Sequence, residues 1–259
     1  MTPLPREIWN NPAFAIGREV RVFDLLPSTN DYAKEIADDT THHGIAIVAN
    51  EQSAGRGQHG RVWQADGNSS LLLSIILPSF QIPLRPVVLT AWAAVSIIET
   101  IREIAGVEAR LKWPNDVLID GKKVCGILIE QGRGTVVGIG LNLNQTQITF
   151  NDARLPDATS LQLAGGSIRA YSQRNVLDML LRQMNVDYQR LLAGDRDSLE
   201  KAWVNRIGLI GRRVFVERSD GTSIEGELVT LTFEIIVIED ESGTLVRVKP
   251  EAIRHISAA

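Results

Sequence analysis

The chain has 259 residues, of which 44% are hydrophobic, 22% are charged and one is a cysteine. This length suits one large domain and a small one, and the single cysteine excludes an internal disulfide and a zinc site built on several thiolates. The net charge of −4 argues against non-specific nucleic-acid binding, and without a signal peptide or a long apolar run the chain is expected to be cytoplasmic, with no membrane span.

The predicted elements of the first half are short strands and two helices. Residues 1–19 are rich in Pro and Asn and predict a poorly ordered arm. Strands are expected over residues 21–26, 45–50 and 71–77, and helices over 28–37 and 85–105. A glycine-rich stretch with little periodicity, residues 51–68, interrupts this series.

The second half changes from a mixed pattern to an all-β pattern. Strands are expected over 109–112, 117–119, 123–130 and 135–143, with a hairpin at Asp120-Gly121, and an amphipathic helix over 172–193. Beyond Gly208, short β-branched runs alternate with glycine turns, which predicts a small barrel. The expected division is an arm over 1–20, a large domain over 21–207 and a small domain over 208–259.

The first concentration of chemically useful residues is Gly55-Arg56-Gly57-Gln58-His59-Gly60-Arg61-Val62-Trp63. Its glycines expose backbone N–H groups to an anion, its arginines suit carboxylate or phosphate, and Trp63 offers a flat face to a purine or a cation. Taken alone, the segment favours an exposed flexible loop, and a nucleotide or acyl-phosphate site is the alternative.

Two further segments combine a turn or strand with polar side chains. In Lys112-Trp113-Pro114-Asn115-Asp116, the lysine ammonium suits charge that builds up at phosphorus. Taken alone, this segment nevertheless favours a surface turn with a solvated lysine. In Gly138-Ile139-Gly140-Leu141-Asn142, the glycines indicate close approach of a ligand or of a packed helix.

Three other residue types predict structure rather than chemistry. Cys125 lies in an apolar strand and is expected to be buried packing. His42-His43 has no partner at metal-ligand spacing. Trp92 is flanked by alanines and is expected in the core.

Five segments in this order resemble the biotin–protein ligase family. They are Ser28-Thr29-Asn30, Gln52 with Gly55-Arg56-Gly57, Lys112-Trp113-Pro114-Asn115-Asp116, Gly126-Ile127-Leu128-Ile129-Glu130 and Gly138-Ile139-Gly140-Leu141-Asn142. The resemblance covers about residues 21–145 and is weak over 146–206. It implies an α+β fold with a mixed sheet flanked by helices, similar to class II synthetases, followed by an SH3-like barrel from residue 208.

The resemblance also implies a role for each matching residue. Lys112 and Arg56 would be catalytic, at the biotin carboxylate and the α-phosphate. The residues implied for biotin are Ser28, Thr29, Asn30, Gln52, Gly55, Arg56, Lys112 and Gly126. Those implied for ATP and the adenylate are Gly57, Gln58, Arg61, Trp63, Asn115, Gly138 and Asn142. No residue is implied as a metal ligand.

The implied reaction has two steps in one site. ATP, with Mg²⁺ on its phosphates, converts biotin to biotinyl-5′-AMP, and a lysine of a biotin carboxyl carrier protein then attacks that mixed anhydride. No membrane partner is expected, and a homodimer is left open. The alternatives are a lipoate ligase, an octanoyltransferase and a biotin sensor without catalysis. The absence of an Arg-Arg/Gly-Gly-Gly signature argues against the lipoate ligase, and the position of Cys125 in an apolar strand argues against the octanoyltransferase. The presence of Lys112 argues against a sensor that only binds biotin.

Two departures from the family pattern affect these expectations. Longer members begin with a helix-turn-helix domain, whereas here the first motif already starts at Ser28. Specific DNA binding and repression are therefore not expected. The residue after Gly57 is usually arginine in the family, and here Gln58 is expected to clamp the intermediate less firmly.

Overall fold

An eight-stranded mixed sheet forms the frame of the larger part of the molecule. The computed structural model describes residues 3–63, 67, 69–78 and 84–259. The strands are β1 (Glu7–Asn10), β2 (Glu19–Leu26), β3 (Ile45–Gln52), β4 (Ser70–Leu77), β5 (Arg110–Lys112), β6 (Asp116–Ile119), β7 (Lys122–Gln131) and β8 (Thr135–Asn142). Their spatial order is β1-β2-β3-β4-β8-β7-β6-β5, and the pair β2–β3 is parallel while the others are antiparallel.

Helices cover both faces of this sheet. They are α1 (Thr29–Ile36), α2 (Pro86–Ala105), α3 (Gln147–Asp152), α4 (Leu161–Ala164), α5 (Gln173–Leu192) and α6 (Arg196–Ile207). Helix α2 is apolar around most of its circumference because it packs on the sheet and also on α5 and α6. The shorter α1 packs on β3, β4 and β8, over a second, smaller apolar cluster. None of the helices described is long and apolar enough to cross a bilayer.

The local signals at the helix ends are the expected ones. The Ser28 side chain accepts a hydrogen bond from the Asp31 N–H and so caps α1. Gly106 ends α2 with a φ of 66°, a left-handed conformation that glycine adopts without strain. The Asp120-Gly121 turn has positive φ at both positions, as a tight hairpin of this type requires.

A second, five-stranded antiparallel sheet follows α6. Its strands are β9 (Arg213–Arg218), β10 (Ser223–Leu231), β11 (Ile236–Asp240), β12 (Leu245–Val248) and β13 (Ile253–Ala258), in the order β12-β11-β10-β9-β13. The mixed sheet with its flanking helices and this small sheet confirm the predicted fold class, including the SH3-like C-terminal part. The proposed domain boundary at residue 208 stays a prediction.

The small sheet packs against the larger part through aromatic side chains. The ring centroids of Trp203 and Phe233 are 5.0 Å apart, and those of Trp113 and Trp203 are 5.8 Å apart. The Trp113 indole N–H donates to the Ile253 carbonyl across 3.3 Å. Arg85, at the start of α2, pairs with Glu251 at 2.6 Å. The two parts therefore share one continuous apolar core.

The prediction of a poorly ordered N-terminal arm is wrong. β1 pairs with β2 along its whole length, and Ile16 is fully buried. Asn185 on α5 holds this segment, because its side-chain oxygen accepts from the Ala15 and Ile16 N–H groups at 2.9 and 3.0 Å. Pro and Asn content alone did not reveal these long-range contacts. Within the predicted irregular stretch 51–68, residues 64–66 and 68 lie outside the described residues.

Candidate active site

A cavity of about 580 Å³ lies on the same face of the large sheet as α1. All the sequence-predicted site residues except Gly55 line it. Gly55 lies directly behind the wall, where its carbonyl accepts from the Trp63 N–H at 3.0 Å. A Cβ at Gly55 would collide with the Trp63 carbonyl oxygen, so this close approach requires glycine.

One end of the cavity is a connected set of polar groups. The Thr29 N–H and hydroxyl donate to the Gln52 side-chain oxygen at 2.7 and 3.1 Å. Ser74 Oγ on β4 lies 2.7 Å from the Thr29 hydroxyl and 2.5 Å from Asn30 Oδ1. Ser74, which sequence reasoning missed, is fully buried inside an apolar strand. These bonds fix the side chains at this end in one arrangement.

The floor of the cavity is formed by glycines on adjacent strands. Gly126 on β7 pairs directly with Gly140 on β8, and Gly138 pairs with Ser74. The Trp63 ring occupies the space that side chains at Gly126 and Gly140 would fill. An added Cβ at Gly140 would lie 2.5 Å from Trp63 Cε2. A Cβ at Gly138 would collide with Asn30. Gly140 belongs to the matching motif but was not among the predicted site residues.

Cationic side chains surround this floor. Lys112 is exposed and lines the cavity at the end of β5. Lys123, which was not predicted, also lines it, with its ammonium 2.6 Å from Asp116 and 5.6 Å from the centre of the Trp63 ring. Arg61 contributes a third cation, from the glycine loop. Positive charge from three chain segments therefore converges on one cavity.

A β-bulge explains why Lys123 escaped prediction. Strict alternation along β7 would place Lys123 and Gly126, three residues apart, on opposite faces of the sheet. The register shifts at this point, since Val117 pairs with Cys125 but Leu118 pairs with Lys123, which leaves Val124 as an extra residue. The side chain of Lys123 therefore faces the cavity.

The glycine loop is held at its base by backbone bonds. Arg56 and Val62 form an antiparallel bridge, and the Gly57 N–H donates to the Arg61 carbonyl at 2.7 Å. A single 3₁₀ turn, Gln58–Gly60, forms its tip. The Arg56 side chain pairs with Asp31, and with Glu130 at 3.2 Å. Arg56 lines the cavity while its guanidinium contacts these two protein carboxylates.

Two asparagines of the motifs are engaged with the backbone. The Asn142 amide donates to the Thr159 carbonyl at 3.0 Å, and its oxygen accepts from Gln145 at 3.1 Å. The Asn115 amide donates to the Ile127 carbonyl at 2.6 Å. Both side chains shape the cavity wall, and their predicted contacts with a nucleotide stay predictions.

The C-terminal sheet also reaches the cavity. Glu217, Arg254 and His255 lie among its lining residues, and Arg254 pairs with Glu217 at 3.1 Å. This contribution was not predictable from the amino-acid sequence, because it depends on how the two sheets pack. Within the part of the chain that the structure describes, no group of three or more His, Cys, Asp and Glu side chains could hold a metal ion.

Comparison with known proteins shows the family of this chain. Residues 22–144 match the biotin/lipoate A/B protein ligase family. The bifunctional ligase/repressor BirA of Bacillus subtilis is 32% identical over 251 residues, which cover 94% of this chain and 74% of that protein. This chain belongs to the biotin/lipoate A/B protein ligase family.

Other members of the biotin/lipoate A/B protein ligase family support the assignment. The biotin–[acetyl-CoA-carboxylase] ligase of Mycobacterium tuberculosis is 32% identical over 81% of this chain and 78% of its own length. The biotin protein ligase of Aquifex aeolicus, in complex with biotin and ATP, superposes with a TM-score of 0.78 at 24% identity, over 93% of this chain and 99% of that one. The likeness to the Aquifex aeolicus structure shows the fold of this chain.

The cysteine of this biotin/lipoate ligase family member is a packing residue. Cys125 is fully buried, and burial raises the pKa of its thiol far above the ordinary value. A thiol that stays protonated does not act as a nucleophile. Trp92 is likewise fully buried, as predicted. The geometry thus argues against the octanoyltransferase alternative.

Proposed function

We propose that this protein is a biotin–[acetyl-CoA-carboxylase] ligase that activates biotin with ATP and transfers it to a lysine of a biotin carboxyl carrier protein. The observation that carries the proposal is a single cavity with a connected polar end, a glycine floor and converging cations. The relatives' names and the Aquifex aeolicus complex with biotin and ATP support the choice of substrates.

The polar end suits the ureido group of biotin. A buried ureido needs both donors and acceptors, since an unpaired polar group costs about 1–3 kcal/mol. Ser28, Thr29, Asn30 and Gln52 supply both kinds of group, and Ser74 fixes two of them. We place the ureido head of biotin there and its bicyclic ring beside Gly126.

The cationic part suits the acid activation step. A carboxylate oxygen of biotin attacks the α-phosphorus of ATP, a new P–O bond forms, and diphosphate leaves with the electron pair of the broken bond. Lys112, Lys123 and Arg61 bring these anions together and stabilise the charge that grows in the transition state. We place the biotin carboxylate beside the backbone near Arg56, a residue that lines the cavity.

Mg²⁺ would arrive bound to the ATP phosphates. Magnesium is usually held by one or two carboxylates together with phosphate oxygens. Asp116 and Glu217 are carboxylates that line the cavity, and both have cationic partners at 2.6 and 3.1 Å. This arrangement fits an ion that enters with its nucleotide.

In the second step a carrier lysine must reach the mixed anhydride. Its neutral amine attacks the biotin carbonyl carbon, a C–N bond forms, and the bond from that carbon to the phosphate oxygen breaks. AMP leaves with the electron pair of the broken bond, and the nitrogen loses a proton to solvent. The rim near Lys112 and Arg254 is the side from which we propose that the carrier approaches. The identity of the carrier, the absence of specific DNA binding, a homodimer and a cytoplasmic location stay predictions.

A competition assay tests the function. Purified protein is incubated with ATP and with biotin, lipoate or octanoate, and released diphosphate is measured. Biotin alone is expected to support release, followed by label transfer to a biotin carboxyl carrier domain. Equal release with lipoate would assign the protein to another branch of the family, and biotin binding without release would make it a sensor.

A further inference from the structure

A four-residue ion cluster lies beside the cavity, and one of its members, Arg56, also lines the cavity. It consists of Asp31 and Lys34 on α1, Arg56 in the glycine loop and Glu130 near the end of β7, and we call it the α1 ion cluster. Lys34 lies 3.0 Å from Asp31 and 2.8 Å from Glu130. Arg56 pairs with the same two carboxylates. Two cations therefore share two anions.

Glu130 differs from the other members because it also contacts the polar end of the cavity. One carboxylate oxygen accepts from the Asn30 side-chain amide at 2.8 Å. The other oxygen accepts from Lys34, and lies 3.2 Å from Arg56. Its side chain is 19% exposed, against 41% for that of Arg56. Glu130 is thus the least exposed member and the one that joins the polar end of the cavity to the glycine loop.

The contacts form a continuous path. It begins at Gln52, passes through Thr29, Ser74 and Asn30, and reaches Glu130. From Glu130 the path continues to Arg56 in the glycine loop. A change in the orientation of Asn30 would therefore alter the same carboxylate that holds the loop.

We infer that Glu130 is a positioning residue that seats the glycine loop and couples it to occupation of the polar end of the cavity. The inference rests on the proposed function, since it assigns the ureido group to that end. When biotin fixes Asn30, Glu130 keeps its geometry and Arg56 holds the loop closed over the adenylate. Lys34 competes with Arg56 for both carboxylates and so opposes this hold.

The substitution Glu130→Gln separates the two contacts of this residue. The amide oxygen of glutamine still accepts from Asn30, while its NH₂ group faces Arg56 and Lys34 and removes the ionic attraction. Dissociation of labelled biotinyl-adenylate, measured without carrier, is expected to be about threefold faster than in the parent, as suits a partly exposed ion pair. Hydrogen exchange at residues 55–57 is expected to rise in the loaded protein.

Matched variants test whether the effect is specific. Lys34→Gln removes the competing cation and is expected to leave dissociation unchanged or make it slower. Asp38→Asn removes an exposed pair with Arg133, 3.5 Å apart, away from the loop, and is expected to change nothing. If Lys34→Gln accelerates escape as much as Glu130→Gln, or if Glu130→Gln leaves the off-rate unchanged, the inference is overturned.

Two measurements keep this result separate from other failures. Asp31→Asn gives a second test if Glu130→Gln does not fold, because it removes the other partner of Arg56, and accelerated escape is again expected. If Asp31→Asn also leaves escape unchanged, the cluster does not seat the loop. Failure of the parent protein to form any biotinyl-adenylate would instead contradict the proposed function.

Discussion

Two lysines line the same cavity in different surroundings. Lys112 is exposed at the end of β5, whereas Lys123 is held by Asp116 against the Trp63 ring. A fixed ammonium is more effective in the transition state than a mobile one, because it needs no reorganisation when charge develops. Lys112 was predicted from its sequence motif, whereas Lys123 faces the same cavity because of the β-bulge.

Lys112→Ala and Lys123→Ala should each cripple adenylate formation. Removal of one fixed charge at a reacting phosphate typically costs on the order of 10²–10³ in rate. Single-turnover diphosphate release measures the effect, and the melting temperature should barely change in Lys112→Ala because that side chain is exposed. Near-normal release by Lys112→Ala would refute its assignment and leave Lys123 as the lysine that carries the charge.

Gln58→Arg should retain the adenylate more firmly. Arginine offers a charge-assisted contact to phosphate or carboxylate, which is roughly twice as strong as a neutral hydrogen bond from glutamine. Dissociation of labelled biotinyl-adenylate should become modestly slower, with little change in its rate of formation. Gln58→Lys is the control, because it adds a positive charge without the planar guanidinium of arginine. Identical off-rates in the parent, Gln58→Arg and Gln58→Lys would mean that residue 58 does not contact the intermediate.

The glycine loop should be the element whose order depends most on ligands. Its described tip is one 3₁₀ turn, and Val62 is 70% exposed, so few apolar contacts stabilise it. Hydrogen exchange across residues 55–62 should slow sharply when biotin and ATP are both present. The same peptide with ATP alone is the control, and equal protection in free and loaded protein would contradict a closing loop.

Elements with a local signal were predictable, and elements set by tertiary contacts were not. Helix α2 carries Pro86 at its start and Gly106 at its end, and both boundaries were found. Helix α6 was not predicted, because its apolar stripe is weak. Trp203 and Ile207 are the two residues of this helix that are buried. Ser74 supports the polar end of the cavity from within a buried strand. Lys123 and His255 line the cavity because of a β-bulge and of the packing of the two sheets.

At the scale of the whole molecule, the shared aromatic core should make unfolding a single event. Phe233→Ala removes a 3% exposed side chain from the contact with Trp203 and should cost about 3–5 kcal/mol. The melting temperature of the entire chain should fall by about 10 °C. Phe215→Ala, at a 41% exposed position of the same sheet, is the control, and two separate transitions would contradict a common core.

The α1 ion cluster should also make stability depend on pH. Burial raises the pKa of both Glu130 and Asp31. Hydrogen bonds from Lys34 and Asn30 to Glu130, and from Lys34 and Arg56 to Asp31, outweigh burial and hold both pKa values below the ordinary ones. Carboxyls with depressed pKa stabilise the fold above their ordinary pKa, about 4, and lose that contribution as the pH falls through the folded value.

A comparison across pH therefore isolates the cluster. The difference in melting temperature between the parent and Glu130→Gln should be largest near neutral pH and should shrink as the pH falls to about 3. Asp38→Asn, in the exposed pair with Arg133, serves as the reference for general acid effects. A difference that stays constant over this range would show that the Glu130 charge does not stabilise the fold.

The placement of Trp63 has an optical consequence. The indole lies against Gly140 with a lysine ammonium near its face, and its buried N–H has no hydrogen-bond partner among the residues described. Indole emission responds to nearby charge and to new bonds at that nitrogen, whereas Trp92 and Trp203 are sealed in the core. Native fluorescence of the unlabelled protein should therefore report filling of the cavity in real time. Trp63→Phe should remove most of that signal and leave the smaller contribution of Trp113, which also lines the cavity.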